Sequence, residues 1–372
     1  MIETFRVGGF AMRYGHFVPR LYNYCRSLGF ERQHMLPSRA FCSDESQGYP
    51  VMLLAQHFGT FPFDHGRVGG KVAINRHGPY AHHGEDLVMI QASHVGYNPD
   101  DGRFGVYQRH RTEGCRFGDC CGKLCAVLHW YQDEYAHACR QVQCGRLGGE
   151  PVFQIDNQYL DENRHEGLFL RLDRMVGTPL QPLKVLSTSK IFRASPELRE
   201  RLGEQVFGEN GFGETLAPIG PALSPDLFHF RRAPAAGAEE HDILEAALGP
   251  VMPQLVTSPH PALDAARFVT QAEFDRTYRS ILREPAFATK NVLFVSGVNI
   301  DVSPREAYPF PFTKFVPWAA YARLRDGRSF LLEQEELVET LRRMPGENPD
   351  CLSFDQTIEQ MTLAPEIRLS VG

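Results

Sequence analysis

The segment Leu87-Val88-Met89-Ile90-Gln91-Ala92 is mostly apolar and leads directly into Ser93-His94. A short apolar run without polar alternation is typical of a central strand in a sheet that is covered on both faces. Open α/β sheets form their functional sites at the carboxyl ends of such strands. We therefore expect His94 to lie at the carboxyl end of a central strand, beside a functional site.

The rest of the chain supplies the other elements of an α/β fold. Residues 291–300 form a second apolar run that predicts a buried strand, and residues 318–324 predict a strand that pairs with it. Apolar residues recur every three or four positions over 124–140, which predicts a helix, and 268–283 and 333–343 predict two more. The expected fold is α/β, with a mostly parallel central sheet flanked by helices.

Two further segments carry side chains that bind metals, Cys42-Ser43-Asp44 and Cys120-Cys121-Gly122. Together with His94 they offer two thiolates and one imidazole, which are three ligands for a tetrahedral zinc ion. A fourth position open to water separates a catalytic zinc site from a structural one. Cys42, His94 and Cys121 are therefore candidate zinc ligands of a hydratase, with Asp44 as a candidate catalytic carboxylate.

Each of these residues alone has an ordinary alternative explanation. Cys42-x-Asp44 is short enough to occur by chance, His94 fits a core or loop histidine, and Cys121 fits a small buried apolar residue. The set is stronger than its members because His94 ends a predicted strand and Cys121 begins a predicted helix. At the start of a helix the dipole lowers a thiol pKa, so we expect a lowered pKa for Cys121.

Composition limits the classes of function. The chain has 372 residues and a formal net charge of −6, and it lacks the basic character typical of proteins that bind nucleic acid. Six of its nine cysteines fall within 115–144, and the first residues do not form a secretory signal. We expect reduced thiols in the cytoplasm, some of them binding metal, and no segment that spans a membrane.

Short motifs of this chain match those of one known family. They are Cys42-Ser43-Asp44-Glu45, His94-Val95-Gly96-Tyr97-Asn98, Cys121-Gly122-Lys123-Leu124, and the pairs Gly69-Gly70 and His82-His83. With them the sequence resembles the limiting-CO2-inducible protein B/C family, the theta-class carbonic anhydrases, which are relatives of the beta carbonic anhydrases. The match extends over about residues 40–125, and more weakly to about residue 325.

The resemblance implies an activity, a metal ion and an oligomeric state. The activity is carbonic anhydrase activity (a lyase): reversible hydration of CO2 to bicarbonate by hydroxide on Zn²⁺, with Asp44 orienting the bound water. It also implies a homodimer with sites near the subunit interface. Two alternatives are a catalytically silent zinc-binding scaffold in inorganic-carbon handling, and a thiol-redox protein that uses Cys120, Cys121 and Cys125.

Two positions in the expected site stay open. Beta carbonic anhydrases follow the catalytic Asp with Ser-Arg, whereas this chain has Glu45-Ser46, so the motif does not fix the arginine that holds Asp44. Arg39 is the first candidate, and Arg109 and Arg111 are the others. Cys120 and Cys121 compete for the third ligand position, and we prefer Cys121 because Gly follows it, as in the family motif.

The expected domain organisation is a beta-carbonic-anhydrase-like zinc domain over residues 1–330, followed by a helical extension over 331–372. Residues 208–265 are rich in Gly, Pro and Ala and predict a surface excursion. His82 and His83 are equally consistent with proton shuttles at the mouth of the site and with polar loop residues.

Overall fold

The computed structural model describes residues 5–67, 71–72, 86–109, 117–207, 215–232, 239–306 and 311–365. Its strands are β1 Met12–Arg13, β2 Met35–Ala40, β3 Phe63–Asp64, β4 Gly66–Arg67, β5 Lys71–Val72, β6 Asp86–Asn98, β7 Arg103–Phe104, β8 Val106–Gln108, β9 Phe117–Asp119, β10 Gln143–Leu147, β11 Glu150–Asp156, β12 Gly167–Leu170, β13 Pro182–Val185, β14 Ser189–Arg193, β15 Ala217–Pro218, β16 Phe228–Arg231, β17 Val292–Val302, β18 Phe312–Arg323 and β19 Ser329–Leu332. Its α-helices are α1 Tyr14–Ser27, α2 Gly48–Phe58, α3 Gly122–Gln141, α4 Leu172–Met175, α5 Pro196–Phe207, α6 Glu239–Leu248, α7 Met252–Thr257, α8 Pro261–Arg283, α9 Gln334–Arg343 and α10 Phe354–Leu363.

The chain divides into two compact units, one formed by residues 1–122 and 266–372 and the other by residues 123–265. The first unit contains the central sheet, in the strand order β1-β18-β17-β6-β2-β3, with β19 beside β18 and β7 beside β6. The second unit contains an antiparallel sheet in the order β13-β14-β11-β10-β15, and a separate pair formed by β12 and β16.

The core of the central sheet is parallel, as predicted. β3, β2, β6 and β17 run in the same direction, and β18 pairs with β17 in the opposite direction. The predicted strands at 87–92 and 291–300 are confirmed as β6 and β17, and their predicted neighbour is confirmed as β18. β6 is longer than predicted and continues to Asn98, so His94 lies within the strand rather than at its end.

The apolar runs lack alternation because both faces of the sheet are covered. One face of β6 and β17 presents Val88, Ile90, Leu293 and Val295 to a core that α1, α2 and α9 complete. The other face presents Leu87, Met89, Val292 and Phe294 to Phe274 and Ile281 of α8. Side chains of a strand point alternately to the two faces, so His94 lies on the face of Val88 and Ile90.

The predicted helices are confirmed as α3, α8 and α9; the ends of α3 and α9 differ by one or two residues from the sequence-based bounds, and α8 begins at Pro261 rather than at 268. α2 ends at Phe58 and is followed by Gly59, whose φ of 75° is a left-handed conformation that glycine adopts without strain. Within the described residues, none of the helices combines the length and the apolar composition that crossing a bilayer requires.

Candidate metal centre

Cys42 and Asp44 lie in the turn that joins β2 to α2. β2 ends at Ala40, and the Asp44 carboxylate accepts a hydrogen bond from Ser46 N at 3.1 Å, which caps the short 3-10 helix Glu45–Gln47. Because β2 is parallel to β6, this turn lies at the carboxyl end of the parallel strands. The position is the one at which an open α/β sheet forms a site.

The chain just before Cys42 is held by a close backbone contact. Gly66 packs against Phe41, and a Cβ atom at Gly66 would lie 2.1 Å from the Phe41 carbonyl oxygen. Any side chain at residue 66 would therefore displace the backbone next to the first sulfur.

Backbone hydrogen bonds hold Cys120 against β6 and against Gly105, which follows β7. Gly96 N donates to Cys120 O at 2.9 Å, and Cys120 N donates to Gly105 O at 3.0 Å. A Cβ atom on Gly96 would lie 2.9 Å from the Cys120 Cβ, so only glycine permits this approach two residues after His94. The peptide bond between the two cysteines is cis.

These segments bring the predicted ligands into one cluster. The sulfurs of Cys42 and Cys121 and a ring nitrogen of His94 all lie within 4.8 Å of one another. A second set, formed by Asp44, His94 and Cys120, meets the same distance. The exposed fractions of Cys42, His94 and Cys121 are 4%, 0% and 2%, so the first set is closed to bulk solvent.

Asp301 fixes the orientation of the His94 ring. The His94 Nδ1 lies 2.8 Å from Asp301 Oδ2, and both side chains are buried. His94 Nε2 is also buried and has no hydrogen-bond partner among the described residues. Nδ1–H therefore donates to the carboxylate and Nε2 keeps its lone pair, which is the arrangement that proteins use to orient a metal-binding histidine.

Asp301 itself is saturated with hydrogen-bond donors. Its carboxylate accepts from Ser46 Oγ at 2.9 Å, Gln47 Nε2 at 2.9 Å and Thr313 Oγ1 at 2.8 Å, and the Cys120 thiol lies 3.6 Å away. A buried carboxylate is costly unless its oxygens are paired in this way. These hydrogen bonds therefore offset the cost of burying the Asp301 carboxylate next to the His94 imidazole.

The network continues from Asp301 to helix α1. Gln47 Oε1 accepts from Asn299 Nδ2 at 2.6 Å, and Asn299 Oδ1 accepts from the Tyr14 hydroxyl at 2.7 Å. Both ends of this chain of contacts are buried. The orientation of the imidazole is thus tied to the packing of α1 and of the turn before α2.

The thiols of Cys120 and Cys121 are weak acids in the absence of a cation. A hydrogen bond with Cys42 and then burial raise the pKa of Cys121, and burial raises the pKa of Cys120 to about 12. The sequence predicted a lowered pKa for Cys121, and this prediction is wrong because the neighbouring thiol and the loss of solvent outweigh the helix dipole. A coordinated divalent cation reverses this balance and deprotonates a ligating thiol.

The pKa of His94 is raised, which favours the charged imidazolium form. Burial alone would lower it, but the hydrogen bond to Asp301 and contacts with the surrounding thiols outweigh burial and raise the His94 pKa well above its ordinary value. Without a metal ion the imidazole therefore favours the protonated form, and a cation bound at Nε2 would take the place of that proton.

The arginines are arranged differently from the first expectation. Arg39, the preferred candidate partner of Asp44, donates instead to Asp64 at 2.7 Å. Arg109 donates to the Glu45 carboxylate, and this hydrogen bond and the charge of Glu45, with a smaller contribution from Asp44, raise the Arg109 pKa. Of the two candidate arginines that the structure describes, Arg109 is the one that contacts the segment containing Asp44.

The donor set suits a metal ion. Two sulfurs and one imidazole nitrogen in a buried cluster are the ligands of tetrahedral zinc sites that keep an open position. The buried Nε2 without a hydrogen-bond partner is an independent sign, since buried polar atoms are otherwise paired. The site can bind a metal ion through Cys42, His94 and Cys121.

Sequence reasoning did not identify Asp301, although a signal was present. The strand Val292–Val302 is buried along its whole length, yet it carries Asn299 and Asp301 near its end. A carboxylate in such a strand needs partners and therefore marks a site. Gly69, Gly70, His82, His83 and Arg111, which the sequence analysis also singled out, lie outside the described residues.

Comparison with known proteins supports the fold. No family model and no curated protein matches the chain. Among solved structures, it is similar to PtLCIB4, a homologue of the limiting CO2-inducible protein LCIB, with 13% identity, 87% of this chain and 95% of that chain covered, and a TM-score of 0.50. LCIB itself matches with 14% identity and a TM-score of 0.46, over 88% of this chain and 96% of LCIB.

At this identity the similarity to PtLCIB4 is a similarity of fold. It confirms the α/β fold predicted from the sequence, and the resemblance to the limiting-CO2-inducible family is confirmed at that level.

Proposed function

We propose that this chain, which has the fold of a limiting CO2-inducible protein homologue, is a zinc-dependent carbonic anhydrase that interconverts CO2 and bicarbonate. The observation that carries the proposal is the buried cluster of Cys42, His94 and Cys121, in which Asp301 holds Nδ1 and leaves Nε2 for a metal ion. A zinc ion held by these three groups would supply a water nucleophile at neutral pH.

Asp44 is the group that we assign to proton handling. Its carboxylate lies within 4.8 Å of the donor atoms of His94 and Cys120, and it is less buried than either of them. A carboxylate there accepts a hydrogen bond from the reacting water and sets the direction of its attack on CO2. Its own contact with Ser46 N limits its rotation.

We assign the role of holding Asp44 to Arg109 rather than to Arg39. The ion pair of Arg39 with Asp64 occupies its guanidinium, whereas Arg109 is bonded to Glu45, the residue next to Asp44. A cation at this place draws the Asp44 carboxylate away from the metal ligands and so keeps the fourth position open.

The second candidate function is a catalytically silent metal-binding scaffold. The specific observation in its favour is the set of Asp44, His94 and Cys120 within 4.8 Å of one another, since a carboxylate so close can itself become the fourth ligand. A site closed in this way leaves no position for water. The two candidates therefore differ in whether Asp44 orients water or replaces it.

The proposal includes zinc as the metal, a homodimer, and a reducing, cytoplasmic compartment. Two thiolates with one imidazole favour zinc over harder cations. No disulfide bond joins any of the described cysteines, which suits a reducing compartment. The dimer rests on the family resemblance and is tested by the mass of the protein in solution.

Stopped-flow CO2 hydration by metal-quantified protein tests the proposal. We expect about one zinc per chain, hydration that Cys42→Ser abolishes together with the zinc, and a rate that Asp44→Ala lowers about 100-fold with zinc retained. Asp275→Ala, which removes an exposed carboxylate on α8, is the matched control and should leave the rate unchanged. Stoichiometric zinc without hydration at any pH supports the scaffold, and absence of bound metal refutes both candidates.

A further inference from the structure

A second site is suggested by a basic concavity in the first unit. It has a volume of about 360 Å³, and its lining includes five basic side chains, Arg13, His16, Arg20, Lys314 and Arg342, and no acidic one. This concentration of positive charge occurs in a chain whose formal net charge is −6. Like charges that converge on one cavity repel each other unless an anion lies between them.

The cations of this concavity lack acidic partners. Arg20 Nη1 donates to His16 O at 2.9 Å and Arg342 Nη2 donates to Gly9 O at 2.6 Å, but neither contact neutralises charge. Within the described part of the chain, no ion pair involves Arg13, Arg20, Lys314 or Arg342. By contrast, the adjacent Arg343 is paired with Glu339.

Helix α1 adds donors to the same place. Arg13 lines the concavity and is the N-cap residue of α1, and its guanidinium cannot cap the helix because it has no hydrogen-bond acceptor. The first turn of α1 contains no acidic residue, although such residues favour this position. In addition, Arg20 Nε is buried without a hydrogen-bond partner among the described residues. The buried Nε belongs to one of the four cations, and an anion in the concavity would supply the hydrogen-bond acceptor that this atom lacks.

An apolar cavity of about 330 Å³ adjoins the basic one. The two share Ala11 and Lys314, and the apolar cavity is lined by Tyr97, Phe104 and Phe312 among others. The Arg13 guanidinium lies over the Phe312 ring, 5.8 Å from its centroid, and so connects the two cavities. An anionic group in the basic cavity could therefore carry an organic group into the apolar one.

We propose that the basic concavity binds the phosphate group of a small phosphorylated molecule. Arginine side chains recognise phosphate oxygens through paired hydrogen bonds, and several of them here surround a volume that accommodates a diphosphate. The ligand goes beyond the proposed function, because neither CO2 nor bicarbonate requires four cations. The ligand is either an inorganic phosphate or a phosphate ester with an organic group. The two differ in whether the apolar cavity contributes to the binding affinity.

Isothermal titration calorimetry of the full chain with pyrophosphate and with ADP, at matched low ionic strength, tests the proposal. We expect saturable binding of one ligand per chain. Lys314→Gln combined with Arg342→Gln should weaken it at least about tenfold, since charge-assisted contacts are lost. The matched control, Arg343→Gln combined with Arg328→Gln, removes the same charge from exposed arginines that already have acidic partners, and should change the affinity less than about twofold.

His94→Ala separates this site from the metal centre, and pyrophosphate should still bind this variant saturably. Equal affinities for pyrophosphate and ADP assign the inorganic ion, whereas tighter binding of ADP assigns a phosphate ester whose organic part uses the apolar cavity. The proposal is overturned if no saturable binding occurs, if the control pair weakens binding as much as the test pair, or if His94→Ala abolishes it.

Discussion

The Nδ1 atom of His94 lies 2.8 Å from Oδ2 of Asp301, and this contact leaves Nε2 as the ring nitrogen without a hydrogen-bond partner among the described residues. The two residues lie on neighbouring parallel strands, where Asp301 is in register with Gly96, two residues beyond His94. A carboxylate that accepts from Nδ1–H raises the basicity of the other nitrogen. The relationship therefore orients the imidazole, and it would strengthen His94 as a ligand of the proposed metal ion.

Replacement of Asp301 by Asn should weaken metal binding more than it disturbs the fold. The Asn amide has the size of the carboxylate but loses its charge, so the imidazole is held less firmly and is a poorer ligand. We expect metal affinity to fall about 10- to 100-fold, as measured by competition with a chromophoric chelator. Asp64→Asn removes an exposed carboxylate and should leave the affinity unchanged. If the Asp301→Asn protein keeps the wild-type metal affinity but is less stable, Asp301 has only a structural role.

Gly96→Ala should displace the Cys120-Cys121 segment from β6. The new Cβ would lie 2.4 Å from Val106 O and 2.9 Å from the Cys120 Cβ, and backbone must move to accommodate it. We expect a loss of about 1–3 kcal/mol in the free energy of unfolding and a substoichiometric metal content. Gly122→Ala is the matched control, since no atom lies within 4 Å of its added Cβ. Full metal content in Gly96→Ala would contradict the proposed geometry.

Cys121→Ser and Cys120→Ser should show which of the two cysteines is the third zinc ligand. Cys121 is grouped with Cys42 and His94, whereas the Cys120 thiol lies 3.6 Å from Asp301. We expect Cys121→Ser to lose bound zinc and Cys120→Ser to keep it. In the cobalt-substituted protein, the sulfur-to-metal charge-transfer band should weaken only for Cys121→Ser. The opposite pattern would make Cys120 the third ligand.

His65 should make the protein sensitive to mild acid. Burial lowers the His65 pKa from 6.5 to about 4. Above pH 6.5 the residue is neutral in both states and contributes no pH dependence. As the pH falls from 6.5 towards 4, the unfolded chain binds a proton that the folded chain does not. The free energy of unfolding therefore falls, by up to about 3 kcal/mol.

Urea unfolding at pH 7.5 and pH 5 measures this effect. The loss of stability on acidification should be smaller in His65→Phe than in the wild-type chain, and His165→Phe, which replaces an exposed histidine, should behave as the wild type. An equal loss in all three proteins would show that His65 does not contribute.

The central sheet was predictable because its signal is local. The apolar runs at 87–92 and 291–300 are continuous, and continuity without alternation already implies cover on both faces. The strand ends were not predictable in the same way. β6 continues to Asn98 because β17 and β7 pair with its last residues, and those pairings are formed by distant parts of the chain.

The site was predictable only where a motif marked it. Cys42, His94 and Cys121 stand in short motifs, and the structure gathers their donor atoms within 4.8 Å. Asp301 stands in no motif, and its contact with His94 depends on the register of two parallel strands. The arginine beside Asp44 was similarly undetermined, because Arg39 lies on β2 but is bonded to Asp64, on the strand beside β2.

Thr313 and Lys314 are consecutive residues of β18 whose side chains point to opposite faces of the sheet. Thr313 donates to Asp301 beneath the imidazole, and Lys314 lines the basic concavity. Two residues joined by one peptide bond thus contribute to the proposed metal centre and to the proposed phosphate site. If occupancy of one shifts this strand, the other must respond, and thermodynamic linkage makes the effect reciprocal: phosphate would change metal affinity by the same factor by which metal changes phosphate affinity.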